Sequence, residues 1–129
     1  MSDLMQTVGR VAVAALFVWS GLSKLLGPAS FAATLAAKGL PMPKALAYLA
    51  GTLEFGLGLL VAIGWQVGFA AAGLVVITAA VTLMSHKFWT MAGEAYRLNQ
   101  LSALKNLSII GALLMLAATG PGRFAVSKR

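Results

Sequence analysis

Hydrophobic positions along this chain gather into four long apolar runs, near 4–26, 44–63, 67–85 and 101–119, separated by glycine, proline or mixed basic and aromatic residues. Each run is close to the ~20 residues that an α-helix needs to cross the hydrocarbon core of a bilayer. The pattern therefore predicts an all-α fold, an integral membrane four-helix bundle with short interfacial segments. We expect residues 1–129 to form a single transmembrane domain.

The connection after the first run contains strong helix breakers. Gly27 to Pro43 includes the sequence Pro41-Met42-Pro43, and a proline inside a helix removes a backbone hydrogen bond. Between the breakers, Phe31 to Ala37 is predicted to form a short amphipathic helix that lies at the membrane interface.

The later connections are of two kinds. Gly64-Trp65-Gln66 is long enough only for a tight turn, so the second and third helices should be antiparallel. Lys87 to Arg97 mixes basic and aromatic side chains, which is typical of headgroup depth, and is expected to be a second extramembrane connection. Gly120-Pro121-Gly122 should end the fourth helix and leave a short basic tail.

Composition supports a membrane location and limits the chemistry. Of the 129 residues, 60% are hydrophobic and 10% are charged, which is far from the usage of soluble domains. The formal net charge of +7 suits anionic headgroups, so the lipid bilayer is an expected partner. Nucleic acid is not expected, because no basic cluster is interleaved with aromatic residues in the pattern of nucleic-acid-binding surfaces. The chain has no cysteine, so a redox role would need a bound cofactor or an electron-carrying partner.

Glu54 is the most informative single residue. It follows Lys44 by about ten helical residues, which places its carboxylate roughly 15 Å deep, near the middle of the bilayer. Gly51 and Gly58 flank it at helical spacing and let a neighbouring helix approach, so Glu54 should face the bundle interior. Two roles remain open: a ligand or proton site, and a polar contact that fixes the bundle.

The first helix carries a basic stripe. Asp3 precedes the apolar run without any Lys or Arg, unlike a cleaved signal peptide, so this helix is expected to be retained. Arg10, Phe17 and Lys24 recur every seven residues and share one face. Arg10 lies about 21 Å along the helix from Lys24, and Glu54 lies roughly 15 Å deep from the same side of the membrane. The difference of about 6 Å is within the reach of an arginine side chain, so we predict a pair between Arg10 and Glu54. The alternative is that Arg10 extends to the nearer interface.

Further polar residues are expected at the membrane side where both longer connections lie. Lys24, His86 and Asn106 meet there, and with the deeper Arg10 and Glu54 they predict a polar track for an amphipathic small molecule or a proton path. The alternatives are an interfacial role for His86 and an interhelical hydrogen bond for Asn106. One His and one buried Glu fall short of the three or four ligands that zinc needs, so a metal site is not expected.

The third helix ends in a polar stripe of its own. Thr78, Thr82 and His86 follow one another at a spacing of four residues, so they share one face. For the two threonines, hydrogen bonds to the preceding turn's carbonyls are expected rather than a ligand role.

Several segments, in this order, carry a family resemblance: Arg10, Ser20-Gly21-Leu22-Ser23-Lys24-Leu25, Gly39-Leu40-Pro41-Met42-Pro43, Glu54, His86-Lys87-Phe88-Trp89 and Lys105-Asn106-Leu107. Together they resemble the DoxX family of small four-helix membrane proteins. The resemblance implies a multi-pass protein of the bacterial inner (plasma) membrane. It also implies a set of matching polar positions that would bind a cofactor or ligand: Arg10, Lys24, Glu54, His86 and Asn106.

Two functional hypotheses follow. The first is a non-enzymatic membrane component, a scaffold or small-molecule carrier, whose polar track fixes helix register or holds a small amphipathic ligand. The second is a quinone-linked oxidoreductase subunit, in keeping with the quinol oxidation and thiosulfate-to-quinone electron transfer for which the family is named. There the quinone is the cofactor, His86 and Glu54 exchange protons with it, and Arg10 or Lys24 stabilises negative charge. A membrane or redox partner protein, or a homo-oligomer, is compatible with either hypothesis.

The distribution of basic residues predicts the orientation. Apart from Arg10, the side with the two longer connections has the larger number of basic residues, namely Lys24, Lys38, Lys44, Lys87, Arg97 and Lys105. The opposite side has Arg123, Lys128 and Arg129. Because Lys and Arg concentrate in cytoplasmic loops, both termini are expected outside the cytoplasm.

Overall fold

The structure is a computed structural model that describes residues 2–85 and 88–126. Its helices, in chain order, are α1 (Ser2–Leu26), α2 (Ala29–Ala37), α3 (Pro43–Ile63), α4 (Val67–Ser85) and α5 (Gly93–Thr119), with a short 3-10 helix at Phe88–Thr90. By length and apolarity, α1, α3, α4 and α5 can each cross a membrane. The predicted all-α bundle with four spans is confirmed.

Helices α1 and α3 form the closest pair in the bundle, and glycine makes this contact. A Cβ atom added at Gly21 would lie 2.7 Å from the Gly51 carbonyl oxygen, and one added at Gly58 would lie 3.1 Å from Phe17 Cβ. Small residues of this kind let helix backbones approach within a membrane, where dispersion contacts rather than water drive helix packing. The close approach brings the polar groups of α1 and α3 together.

The second pair is formed by α4 and α5, and α4 also packs on α3. The turn between α3 and α4 is tight because Gly64 adopts a left-handed conformation, φ +78°, and caps α3 by donating its N–H to Leu60 and Val61. The predicted antiparallel hairpin is confirmed. At the centre, Phe17, Leu74 and Leu113 are buried in one apolar cluster.

The connections differ from expectation at one point. The predicted interfacial helix is α2, whose Leu35 is buried. Helix α5 begins at Gly93 and not at 101, so the predicted start of the fourth helix is wrong. Residues 93–97 include the charged Glu94 and Arg97 but contain no proline. Polar residues end the apolar run of the sequence without ending the helix.

The chain after α5 folds back over the end of the bundle. Helix α5 ends at Thr119, as predicted from Gly120-Pro121-Gly122, and Pro121 is fully buried. The Val126 N–H then donates to the Ile63 carbonyl at 3.0 Å. We call residues 120–126 the C-terminal strap. Lys128 and Arg129 of the predicted basic tail lie outside the described residues.

Candidate intramembrane polar site

A buried ion pair joins α1 to α3. Lys24 Nζ lies 2.7 Å from Glu54 Oε1, and Glu54 is only 5% exposed. The packing of Gly51 explains the contact, since a Cβ atom added there would lie 2.9 Å from Lys24 Cβ. Lys24 thus starts beside Gly51, one helical turn from Glu54, and its stem spans that turn. The expectation that Glu54 faces the interior is confirmed.

Lys24 contacts side chains of α2, α3 and its own helix α1. Its ammonium donates to Ser20 Oγ at 2.9 Å, one turn earlier in α1, and lies 4.8 Å from the centroid of the Phe31 ring in α2. A cation over an aromatic face is stabilised by about 0.5–2 kcal/mol, the more so when water is excluded. Helix α2 therefore contacts the ion pair through Phe31.

Arg10 has other partners, so the predicted pair between Arg10 and Glu54 is wrong. The guanidinium donates to the carbonyl oxygens of Pro121 at 2.5 Å, Phe124 at 2.9 Å and Ala62 at 3.2 Å. Ala62 lies eight residues beyond Glu54, about 12 Å further along α3, and an arginine side chain does not span that distance and also reach the strap. Arg10 does face the interior, with 4% exposure, but it binds the C-terminal strap.

Helices α4 and α5 add a hydrogen-bonded pair of side chains. Asn106 Nδ2 donates to Thr82 Oγ1 at 2.8 Å, which confirms the interhelical alternative for Asn106. Thr82 Oγ1 donates to the Thr78 carbonyl at 2.7 Å, the local bond expected of a helical threonine. Thr78 differs: it is 7% exposed, and its hydroxyl has no hydrogen-bond partner in the part of the chain that the structure describes.

These groups surround a common cavity of about 210 Å³. We call it the polar cavity. Its polar lining consists of Ser20, Lys24, Glu54, Thr78 and Asn106, and its apolar lining consists of Leu16, Phe17, Ile77, Val81 and Ile109. The cavity therefore combines one cation, one anion and neutral hydrogen-bonding groups with apolar walls, an arrangement that suits a small amphipathic molecule.

Of the five predicted site residues, the structure brings Lys24, Glu54 and Asn106 together at the polar cavity. It places Arg10 at the strap, and His86 lies outside the described residues. The prediction omitted Ser20 and set Thr78 aside as locally bonded. Ser20 precedes Lys24 by four residues, the helical spacing that signals a side-chain contact.

Fold and site together define a class: small helical membrane proteins with a charged pair buried among their spans. The family model for DoxX matches residues 5–87, which include Lys24 and Glu54. The chain belongs to the DoxX family, and the resemblance noted above is confirmed.

Relatives agree with this assignment. Inner membrane protein YphA of Escherichia coli is 32% identical over 95% of this chain and 87% of its own length. Inner membrane protein YqjF of the same organism is 32% identical over 99% of this chain and 93% of its own length. The Surfeit locus protein 4 homolog of Schizosaccharomyces pombe is 38% identical over 54% of this chain but 24% of its own length. No solved structure matches the chain significantly. The protein is therefore a multi-pass inner-membrane protein.

Proposed function

We propose that this protein is a non-enzymatic component of the inner membrane that holds a small amphipathic molecule in the polar cavity. The observation that carries the proposal is the Thr78 hydroxyl, which is nine-tenths buried, lines the cavity and has no partner within the described ranges. A buried polar group without a hydrogen bond costs about 1–3 kcal/mol. A bound molecule with a hydrogen-bonding headgroup would remove that cost.

The ion pair supports the same proposal. Two apolar residues of similar volume often stabilise an interior as well as a buried ion pair does, and charged groups inside a membrane are expensive to keep. Lys24 and Glu54 border an open space of about 210 Å³ instead of being packed on every side. A pair that served only to fix helix register would gain nothing from such a space, whereas a binding site needs it.

The direct test is extraction of whatever the protein retains. The chain would be purified from membranes in mild detergent, extracted with organic solvent, and the extract analysed by mass spectrometry. Asn106→Leu, which alters the cavity lining, should lower the retained molecule at least tenfold relative to wild type. Asn99→Leu is the matched control, because Asn99 is on the same helix and bonds the Ala95 carbonyl away from the cavity. Equal retention by both variants, or no specific molecule in the wild type, would refute the proposal.

A quinone-linked oxidoreductase subunit is the second candidate. The polar cavity places an ammonium donor, Lys24, beside a carboxylate, Glu54, and apolar walls, which suits a quinone ring whose carbonyls accept hydrogen bonds. A quinone would supply the electron chemistry, while Lys24 would orient its carbonyl and Glu54 would hold a proton. Quinone in the extract of the wild type, lost in Glu54→Gln, would favour this candidate. A quinone-free extract containing another amphipath would favour the first.

A further inference from the structure

The two helix pairs of the bundle leave a seam. Helix α1 packs closely on α3, and α5 packs closely on α4, but α1 and α5 contact each other little. Along this seam lies a groove of about 320 Å³, which we call the α1–α5 groove. Its lining is almost wholly apolar and consists of Ala12, Val13, Leu16, Ser108, Ile109 and Ala112. Among the described residues, only α1 and α5 line the groove, so in a membrane its open side would face lipid.

The groove and the polar cavity adjoin at two shared lining residues. Leu16 and Ile109 line both spaces, and Leu16 is 46% exposed. Two aliphatic side chains at a lipid-facing edge can change rotamer without any movement of the backbone, on a timescale of picoseconds to nanoseconds. The two lining residues that the groove and the cavity share are therefore side chains able to move.

Size limits what the polar cavity alone can hold. Pockets for complete small molecules usually measure about 300–1,000 Å³, and the polar cavity has about 210 Å³. It suits a headgroup and leaves no room for a long apolar chain. The adjoining groove has the volume and the apolar lining that such a chain needs.

The charge of the cavity lining limits which kind of headgroup the polar cavity can bind. Lys24 and Glu54 neutralise each other at 2.7 Å, so the cavity has no net charge from its own ionisable lining. An ionic headgroup would bring an uncompensated charge into a region of low dielectric, which is costly. A neutral headgroup with an oxygen that bonds the Thr78 hydroxyl suits the cavity.

From these observations we propose that the α1–α5 groove is a lateral entrance from the bilayer, used by a single-chain lipid with a compact, neutral, oxygen-bearing headgroup. The headgroup passes between Leu16 and Ile109 into the polar cavity, and the chain stays in the groove. The proposal rests on the proposed function, since it needs a ligand in the polar cavity, but it adds the route and the class of ligand.

The test uses a photoreactive probe, a long-chain alcohol with a diazirine on its chain, added to the full-length protein in lipid nanodiscs. Mass spectrometry of the cross-linked peptides should place the label on α1 and α5 near Leu16 and Ile109. Ala112→Trp, which fills the groove, should lower labelling there at least tenfold. Leu107→Trp is the matched control, since Leu107 is on α5, is 63% exposed and does not line the groove. A carboxylate with the same chain should label this site at least tenfold less than the alcohol.

A second variant avoids any folding defect of Ala112→Trp. The natural chain has no cysteine, so Leu16→Cys/Ile109→Cys introduces the only two thiols, and a short cleavable thiol reagent can join them after folding. Joining should abolish labelling, and reduction should restore it. Normal labelling with the groove filled or the side chains joined would overturn the lateral entrance. If Asn106→Leu still abolished labelling under that outcome, the proposed function would stand and only the route would fail. Absence of specific labelling in the wild type would refute both.

Discussion

Lys24 Nζ and Glu54 Oε1 lie 2.7 Å apart and form the only ion pair between α1 and α3 among the described residues. Their side chains are 14% and 7% exposed, so the pair is shielded from water by protein and, beyond it, by lipid. The contact depends on the glycine-mediated approach of α1 to α3 described above. Packing and electrostatics are therefore coupled at this point of the bundle.

Replacing one residue of the ion pair should lower the free energy of unfolding more than replacing both residues. Lys24→Met or Glu54→Leu strands the partner charge, and each should lower the free energy of unfolding by about 3 kcal/mol. The double variant should recover most of that loss. Thermal unfolding in detergent measures the effects, with Lys38→Met, an exposed lysine, as the neutral control. Additive losses in the double variant would show that the two side chains do not interact.

Arg10 should stabilise the C-terminal strap and leave ligand retention unchanged. Arg10→Leu removes three hydrogen bonds to carbonyl oxygens, so the strap should detach from the bundle. Hydrogen exchange at the Val126 amide, which now donates to Ile63, should become at least tenfold faster. Arg123→Leu, a change at an exposed arginine of the strap itself, should leave that exchange rate unaltered. Slow exchange in Arg10→Leu would contradict the assignment.

Gly21 should not tolerate a methyl group. A Cβ atom there would lie 2.7 Å from the Gly51 carbonyl oxygen and 2.8 Å from Phe55 Cα, so α1 and α3 would have to separate. We expect Gly21→Ala to lower the free energy of unfolding by about 1–3 kcal/mol. Gly9→Ala, on the same helix with open space around it, should instead be neutral or raise it by up to ~1 kcal/mol. Equal melting temperatures of the two variants would disprove the tight contact.

Replacing Thr78 by an apolar residue should raise the stability of the protein and weaken ligand binding. In the ligand-free protein, Thr78→Val removes a buried hydroxyl that has no partner in the described parts of the chain, so stability should rise by about 1 kcal/mol or more. Retention of the extracted molecule should fall in the same variant. Thr82→Val removes the acceptor of the Asn106 bond and should lower stability by about 0.6 kcal/mol. A loss of stability in Thr78→Val would mean that its hydroxyl is already satisfied.

Both termini should lie outside the cytoplasm. The ion pair removes Lys24 from the count of loop charges, yet Lys38, Lys44, Lys87, Arg97 and Lys105 still outnumber the basic residues near the C-terminus. The more basic side should be cytoplasmic. Fusion of alkaline phosphatase to the C-terminus should give an active enzyme, and fusion of a green fluorescent protein a dark one. The reverse result would invert the orientation.

The four spans were predictable because each apolar run interacts with the bilayer independently of the rest of the fold. An apolar run of about twenty residues has the same solution in any fold, a helix that satisfies its backbone internally. The helical hairpin at Gly64 and the interior position of Arg10 and Glu54 followed from equally local signals. The start of α5 was not predictable in this way, because Glu94 and Arg97 lie outside the apolar run and yet are compatible with a helix.

Pairing within the site was decided by the tertiary structure. Sequence spacing placed Arg10, Lys24 and Glu54 on inward faces, but the partner of Glu54 depends on the axial register of α1 against α3. The packing of Gly21 and Gly51 sets that register, and it brings Lys24 to the carboxylate while Arg10 ends about 12 Å further along α3. By itself the sequence determined the class of protein, its four apolar spans and the interior position of Arg10 and Glu54, since those depend on the chain and the bilayer alone. Contacts between helices depend on how surfaces fit, so only the structure decided that Lys24 would meet Glu54 and that Arg10 would hold the strap.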